Sequence, residues 1–406
     1  MSTESTFSTP ATAACATPVA HVAAVASAHA GARLVSIDVL RGFVIVLMAL
    51  DHVRDYFTNA HFDALDLTQT NGPLFLTRWI THFCAPTFIF LAGISARLTA
   101  ARMTPAQLSR FLLTRGLWMI VLEITVVGFA WSFNFRYEHG LFLQVIWAIG
   151  VSMIVLAALV HLPMRAIALC SVVVIAGHNL LDGIAPEYFG AWAPLWSVLH
   201  VRGPVPFGII SYPVIPWIAV MALGYAAGSV FQLDPQTRQR RLVQAGLGAL
   251  ALFVVLRYTN VYGDPIHWSV QDTLGRTLLS FIDVRKYPPS LLYLLVTLGG
   301  ATLLLAAFES ARGRCAAILR TFGRVPLFFY VLHIALAHLV AGLIALAMGF
   351  GTSVLTNPFR LLPETWGFDL PLVYVAWFAV LVALYPACKW YAEVKRRRTD
   401  WWLSYL

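Results

Sequence analysis

Long apolar stretches alternate along this chain with short polar ones, and the apolar stretches are too long to be strands. A hydrocarbon core about 30 Å thick needs about 20 mostly apolar residues per helix. Windows of that kind recur at 40–57, 82–96, 116–131, 141–160, 166–184, 213–231, 242–258, 290–308, 325–348 and 370–388. The pattern predicts an all-α, polytopic transmembrane helix bundle of about ten helices, or eleven if an outer loop re-enters. One membrane domain is expected over 33–390, with a disordered N-terminal tail over 1–32 and a basic, aromatic tail over 391–406. The N-terminal tail carries Glu4 as its only formally charged residue. It lacks the positive start of a signal peptide, although Val19 to Ala30 resembles an apolar signal core.

Composition narrows the class. At 59% hydrophobic and 12% charged residues, the chain falls far outside the range of ordinary soluble enzymes. The net charge of +9 does not make it a nucleic-acid binder, because the basic residues lie in short loops between apolar spans. They read as topology signals: eighteen Lys and Arg fall in the loops of one side and seven in those of the other, leaving aside Arg41, Arg54 and Arg257 within spans. The positive-inside rule makes the richer side cytoplasmic, with both termini on it. The longer loops, 58–81, 185–212, 259–289 and 349–369, then face outward. The five cysteines have no metal-ligand spacing, so neither a disulfide nor a metal is expected.

The outer loops carry Trp79, Trp192, Trp196, Trp268, Trp366 and Tyr212, readable either as an interfacial belt or as a stacking surface for a sugar ring. Gly224 and Gly228 form a small-xxx-small pair that suits helix packing.

Candidate chemistry concentrates on the first span, where Phe43 to Leu50 is followed at once by Asp51, His52, Arg54 and Asp55. A charge at mid-bilayer costs about 2.5–3.5 kcal/mol on insertion scales, so these groups must face protein or water. Asp38, Arg41, His52 and Asp55 share one helical face, and Ser36 suits the N-cap. If Arg41 marks the inner boundary, His52 lies roughly 16 Å further on at 1.5 Å per residue, near the midplane. The same arithmetic places His333 about 13 Å deep, and His82 and His338 about 21–22 Å deep. Two histidine levels emerge. An imidazole beside a carboxylate is a general-base arrangement, which nominates His52, His82, Asp51 and Asp55 as catalytic, with Asp51 or Asp55 orienting an imidazole. Arg54 and Arg78 offer oxyanion or substrate contacts, Lys286 an anion clamp or a snorkelling cation, and His333 a further substrate contact. Glu123 is a deep carboxylate without an assigned role.

Several segments together form a wider pattern. They are Arg33-Leu-Val-Ser-Ile-Asp38-Val-Leu-Arg41-Gly42, Asp51-His52-Val-Arg54-Asp55-Tyr56, and Arg78-Trp-Ile-Thr-His82-Phe-Cys-Ala-Pro86 running on to Gly93. Tyr212-Pro-Val-Ile-Pro216-Trp217, Lys286-Tyr-Pro-Pro-Ser-Leu and Gly323-Arg-Val-Pro-Leu-Phe-Phe-Tyr330-Val-Leu-His333 follow. With these, the chain after residue 32 resembles bacterial relatives of heparan-alpha-glucosaminide N-acetyltransferase. The resemblance implies a transmembrane acyltransferase of the bacterial inner membrane. It would take acetyl-CoA as co-substrate from the cytoplasm and pass acetyl to an amino sugar or other glycan acceptor on the far side. Its partners would then be membrane lipids and that acceptor, and Arg312, Arg314, Arg320 and Arg324 would supply charge for the CoA phosphates. The lysosomal enzyme has Asn where this chain has His52 and Asp where it has His82. Its proposed catalytic histidine lies in the loop after the first span, where His61 is the nearest match at a slightly different spacing. A transporter or flippase for a sugar-linked substrate, using the same buried charges, is the alternative reading.

Overall fold

A computed structural model describes residues 35–135, 140–356, 363–398, 400 and 403; the expected N-terminal tail and most of the C-terminal tail beyond 398 lie outside these. Each of the ten apolar windows contains a helix. Eight helical stretches are long and apolar enough to cross a membrane. The other two are α1 (Val35–Phe57), whose charges break its apolar run, and α6 (Val145–Leu159), which is short. Between them lie α2 (Gly72–Ile80), α3 (Cys84–Ala100), α4 (Pro105–Leu122) and the brief α5 (Gly128–Ser132). After α6 come α7 (Met164–Gly177), α8 (Ala193–Leu199), α9 (Val214–Ala227), α10 (Pro235–Thr259) and α11 (Leu274–Ile282). The series closes with α12 (Leu291–Ala307), α13 (Gly313–Arg324), α14 (Pro326–Ala347) and α15 (Leu370–Arg397). Among the described residues the long outer loops contribute helices of up to nine residues and two three-residue strands, each too short to cross by itself.

Charge decides which helix is central. α1 packs against α3, α12, α13, α14 and α15, and apart from Val35 at its start none of its residues is exposed. A helix carrying Asp38, Arg41, Asp51, His52, Arg54 and Asp55 is tolerated because protein, not lipid, surrounds it. Ser36 lies inside its first turn rather than capping it. Lipid is left to helices such as α7, α10 and α15, which present exposed Leu169, Val173, Val255, Val375 and Phe378.

Glycine sets the closest crossings. A Cβ on Gly42 would overlap the Leu319 carbonyl, and one on Gly323 the Asp38 carbonyl, so α1 and α13 meet backbone to backbone. α3 and α9 meet likewise through Gly93 and Gly224, and Gly228 lies against Arg97, which realises the expected packing role of the Gly224/Gly228 pair.

Two departures from ideal helix follow. Pro86 has no N–H to offer the His82 carbonyl four residues earlier. A turn of 3₁₀ helix over Thr81–Phe83 results, and the Tyr293 hydroxyl donates to the His82 carbonyl instead, at 2.8 Å. At the end of α4 the backbone widens into a π turn, Glu123–Val127, where the Glu123 carboxylate accepts from the Gln144 N–H at 2.6 Å. Glu123 thus caps α6 from another helix, a role the sequence did not suggest. The predicted span over 141–160 accordingly begins one turn late, since Leu141–Leu143 form β1, which pairs in parallel with β3 (Gly208–Ile210), itself antiparallel to β2 (Gly203–Val205).

The loop after α10 is tied down by Arg257, which is fully buried and donates to the carbonyls of Ile266, Ser280, Phe281 and Asp283. Burial, then the nearby Asp264 carboxylate, pushes the Asp283 carboxyl up to about 7, with Asp63 adding to the shift and Arg257 opposing it. A folded-state pKa above the unfolded one favours the protonated form. This contribution to stability is full below the ordinary carboxylate range and is lost as pH rises through about 7. Hydrogen exchange over 259–289 should therefore quicken between pH 6 and 8 beyond its intrinsic base-catalysed rise. Asp283→Asn should flatten the excess, and an unchanged excess in that variant would remove Asp283 as its source.

Candidate active site

The site gathers on the last third of α1. His333 lies on α14, and its Nδ1 is 2.8 Å from the Phe329 carbonyl one turn earlier. A carbonyl only accepts, so in the neutral ring the hydrogen sits on Nδ1 and Nε2 is left as an acceptor. His52 Nδ1 lies 2.8 Å from that Nε2 and must be the donor. The same logic fixes His52: its hydrogen is on Nδ1, and its Nε2 is an unprotonated lone pair with no protein partner among the described residues. The two rings are nearly parallel, with centroids 5.0 Å apart. Trp131 and Tyr330 stand edge-on to His52 at 4.9 and 5.8 Å.

Both carboxylates expected beside the imidazole are engaged elsewhere. Asp51 accepts from Arg54 at 3.0 Å and from Arg78 at 3.0 and 3.1 Å, and Asp55 accepts from Arg54 at 2.6 Å. The partner of His52 is His333, not Asp51 or Asp55. The correction has a physical reason. With the side chains of Arg54 and Arg78 only 10% and 13% exposed, the carboxylates are needed to neutralise them, whereas a neutral imidazole needs only a neutral acceptor. Arg78 also donates to Thr81, so the ion cluster fastens α1 to the turn that carries His82.

His82 lies on this turn, 1% exposed, in a T-shaped contact with Tyr293 at 5.3 Å, and neither of its ring nitrogens is hydrogen-bonded among the described residues. Lys286, 8% exposed, enters from the loop before α12 and sits 5.1 Å over the Tyr287 ring. It lies within electrostatic reach of Asp51, His52 and His82. Tyr287 and Tyr212 form a phenol pair with rings 5.4 Å apart. Although burial works the other way, the Lys286 and Arg78 cations draw the Tyr287 phenol below its usual value.

The remaining candidates stand apart. His61 is exposed on the loop after α1 and bonds the Trp366 carbonyl through Nε2 at 2.8 Å. The deeper His338 stacks between Phe133 and Tyr56. Arg312 and Arg314 are exposed at the start of α13, whereas Arg324 turns toward Asp38 at 3.8 Å. Arg41, at the same end, donates to Asp38, Ser95 and the Gly323 carbonyl. The aromatic residues of the outer loops do not form one set. Trp366 is buried, with its N–H on the Tyr56 carbonyl, Trp192 is 70% exposed, and Tyr212 belongs to the site. Trp131 was missed in the sequence because an interior aromatic on an apolar span has no periodic signature of its own. Among the described residues no three side chains converge as a metal site.

A family model described as heparan-alpha-glucosaminide N-acetyltransferase, catalytic, matches residues 33–257. The chain belongs to this family. It is thus a multi-pass membrane protein of an acetyltransferase family. No curated protein matches the chain in a sequence comparison. The family match supplies His52, His82, Asp51, Arg54, Arg78 and Trp131, while Lys286, Tyr287, Tyr293, Tyr330 and His333 lie beyond its end and fold back onto the same centre.

Proposed function

We propose that the protein transfers an acetyl group from acetyl-CoA, bound from the cytoplasmic side, to an amino sugar or other glycan acceptor on the opposite side of the bacterial inner membrane, with both chain termini cytoplasmic. One observation carries this reading: the hydrogen-bond chain from the Phe329 carbonyl through His333 leaves the His52 Nε2 as a lone pair without a protein partner among the described residues. Family membership supplies the reaction type.

In the proposed step a neutral acceptor amine or hydroxyl attacks the thioester carbonyl carbon. The new C–N or C–O bond forms, the C–S bond breaks, and His52 Nε2 takes the acceptor's proton and returns it to the departing thiolate. While His52 is an imidazolium, its Nδ1–H keeps its bond to His333 Nε2, so no reorientation is needed between the two proton transfers. The ion cluster of Asp51, Asp55, Arg54 and Arg78 anchors the reaction centre, and Arg312 and Arg314 offer exposed charge to the CoA phosphates.

The test uses purified protein in detergent with acetyl-CoA and glucosamine. Tight CoA binding, slow hydrolysis of the thioester and formation of N-acetylglucosamine are the expected results. Folded protein with no detectable CoA binding overturns the proposal.

A further inference from the structure

Arg97 lies in the last turn of α3, at the end of an apolar stretch long enough to cross a bilayer, and among the described residues it has no hydrogen bond or ion pair. Its Nε is buried without a partner. The Tyr225 ring of α9 lies 5.8 Å from the guanidinium carbon, and Gly228 makes room for the stem, since a Cβ there would come within 2.6 Å of the Arg97 Cβ. Arg97 and Tyr225 line a cavity of about 330 Å³ between the ends of α3 and α6 and the starts of α4 and α7, with Met103, Leu108, Val160 and Leu162 among its walls. Apart from Arg97 and Tyr225, every side chain that lines it is apolar.

A guanidinium withdrawn from water without a partner is costly, and the elements around this one hold nothing that could neutralise it. Residues 84–122, 145–177 and 214–232 contain no Asp or Glu, and they add Arg102, Arg110, Arg115 and Arg165 to the same sign. A balancing anion has to come from outside them. From this juxtaposition we infer a site for an acidic glycerophospholipid: its phosphate pairs with Arg97, its glycerol and first methylenes fill the apolar cavity, and its acyl chains follow the exposed flanks of α4 and α7 at Leu113, Leu117, Leu169 and Val173. The planar guanidinium suits a phosphate diester. Basic pockets between membrane helices receive acidic head groups on the cytoplasmic side, and the proposed topology puts this end of α3 there. A phosphate of coenzyme A has the same charge, but the walls offer an adenine no hydrogen-bonding side chain beyond Tyr225. The site is independent of the acyltransfer reading.

The test is native mass spectrometry of the full-length protein, delipidated in detergent, with dioleoyl phosphatidylglycerol as probe and dioleoyl phosphatidylcholine as the zwitterionic control. Wild type should hold one phosphatidylglycerol about tenfold more tightly than phosphatidylcholine, the share of one charge-assisted pair. Arg97→Gln should bring that ratio close to one. Met103→Glu, which sets a carboxylate on the exposed rim of the cavity and leaves Arg97 in place, should do the same even if the Arg97 variant fails to fold. Arg240→Gln removes an exposed charge on α10 and should leave the ratio as it is. Equal affinity for the two lipids in wild type overturns the site, as does a preference that survives both cavity variants or falls equally in Arg240→Gln. Displacement of the bound phosphatidylglycerol by an equal concentration of coenzyme A or inorganic phosphate also overturns it, and gives Arg97 to a soluble phosphate instead.

Discussion

His52→Ala should lower the rate of acetyl transfer by about 10²–10⁴-fold, the usual share of a positioned general base, while the protein remains folded and monodisperse. The side chain is one of many that α1 buries and, among the described residues, it hydrogen-bonds His333, so its removal leaves no unpaired charge. His333 separates a base from a bystander. In His333→Leu the hydrogen on His52 Nδ1 loses its acceptor and either tautomer becomes available, so the lone pair at Nε2 is no longer assured and activity should fall, though less than in His52→Ala. His333→Gln places an amide oxygen where it can accept the same hydrogen and should recover part of the loss. Initial rates of transfer in detergent decide the matter. Full activity in His52→Ala would end the base assignment, and equal activity in the Leu and Gln variants would end the positioning role of His333.

The largest structural effect is expected at Gly42. Its absent side chain lets the Leu319 carbonyl of α13 lie against the α1 backbone, and a leucine there meets main chain, which cannot rotate away as a side chain can. Overpacking a core costs about 1–3 kcal/mol when side chains yield. Here Gly42→Leu should cost at least about 3 kcal/mol, because α1 must separate from α13 and uncover the Asp38–Arg41 pair. Size-exclusion chromatography after stepwise heating is the measurement. Gly248→Ala on α10, with nothing within 4 Å of the added atom, is the control and should shift the midpoint little. A Gly42→Leu protein as heat-stable as that control would show that the crossing is not tight.

Much of the architecture was legible because transmembrane helices announce themselves by apolar length, and every apolar window does contain a helix. The relative height of the two histidines was legible too. Counting from Arg41 and Arg324 put His52 and His333 at one level, and the structure joins them. Partner choice was not, because spacing along a helix gives height but not which neighbour stands at that height. Sequence adjacency therefore suggested Asp51 or Asp55 for His52, when the two arginines needed those carboxylates more. The end of α4 shows a similar limit. A glutamate on an apolar span marks something that must be satisfied, but that its partner would be the N-terminus of α6 depends on a π turn that no residue pattern in Glu123–Val127 reveals. His61 could be counted along the loop but not oriented, and the structure gives its ring to Trp366.

The central position of α1 also has a consequence for how the chain is made. Arg41 bonds the carbonyl of a residue 282 positions later, and His52 meets a histidine 281 positions later. At about 5–20 residues per second, on the order of 15 to 60 seconds separate synthesis of the first membrane helix from that of the helices that shield its charges. Through that interval α1 has no protein on the faces that α13 and α14 will cover, and lipid is no substitute for them. Biosynthesis must therefore keep the first helix in a wetter place, at the insertion machinery or the membrane surface, and let the last third of the chain draw it in. The first described helix completes its contacts only after the last third of the chain has been made.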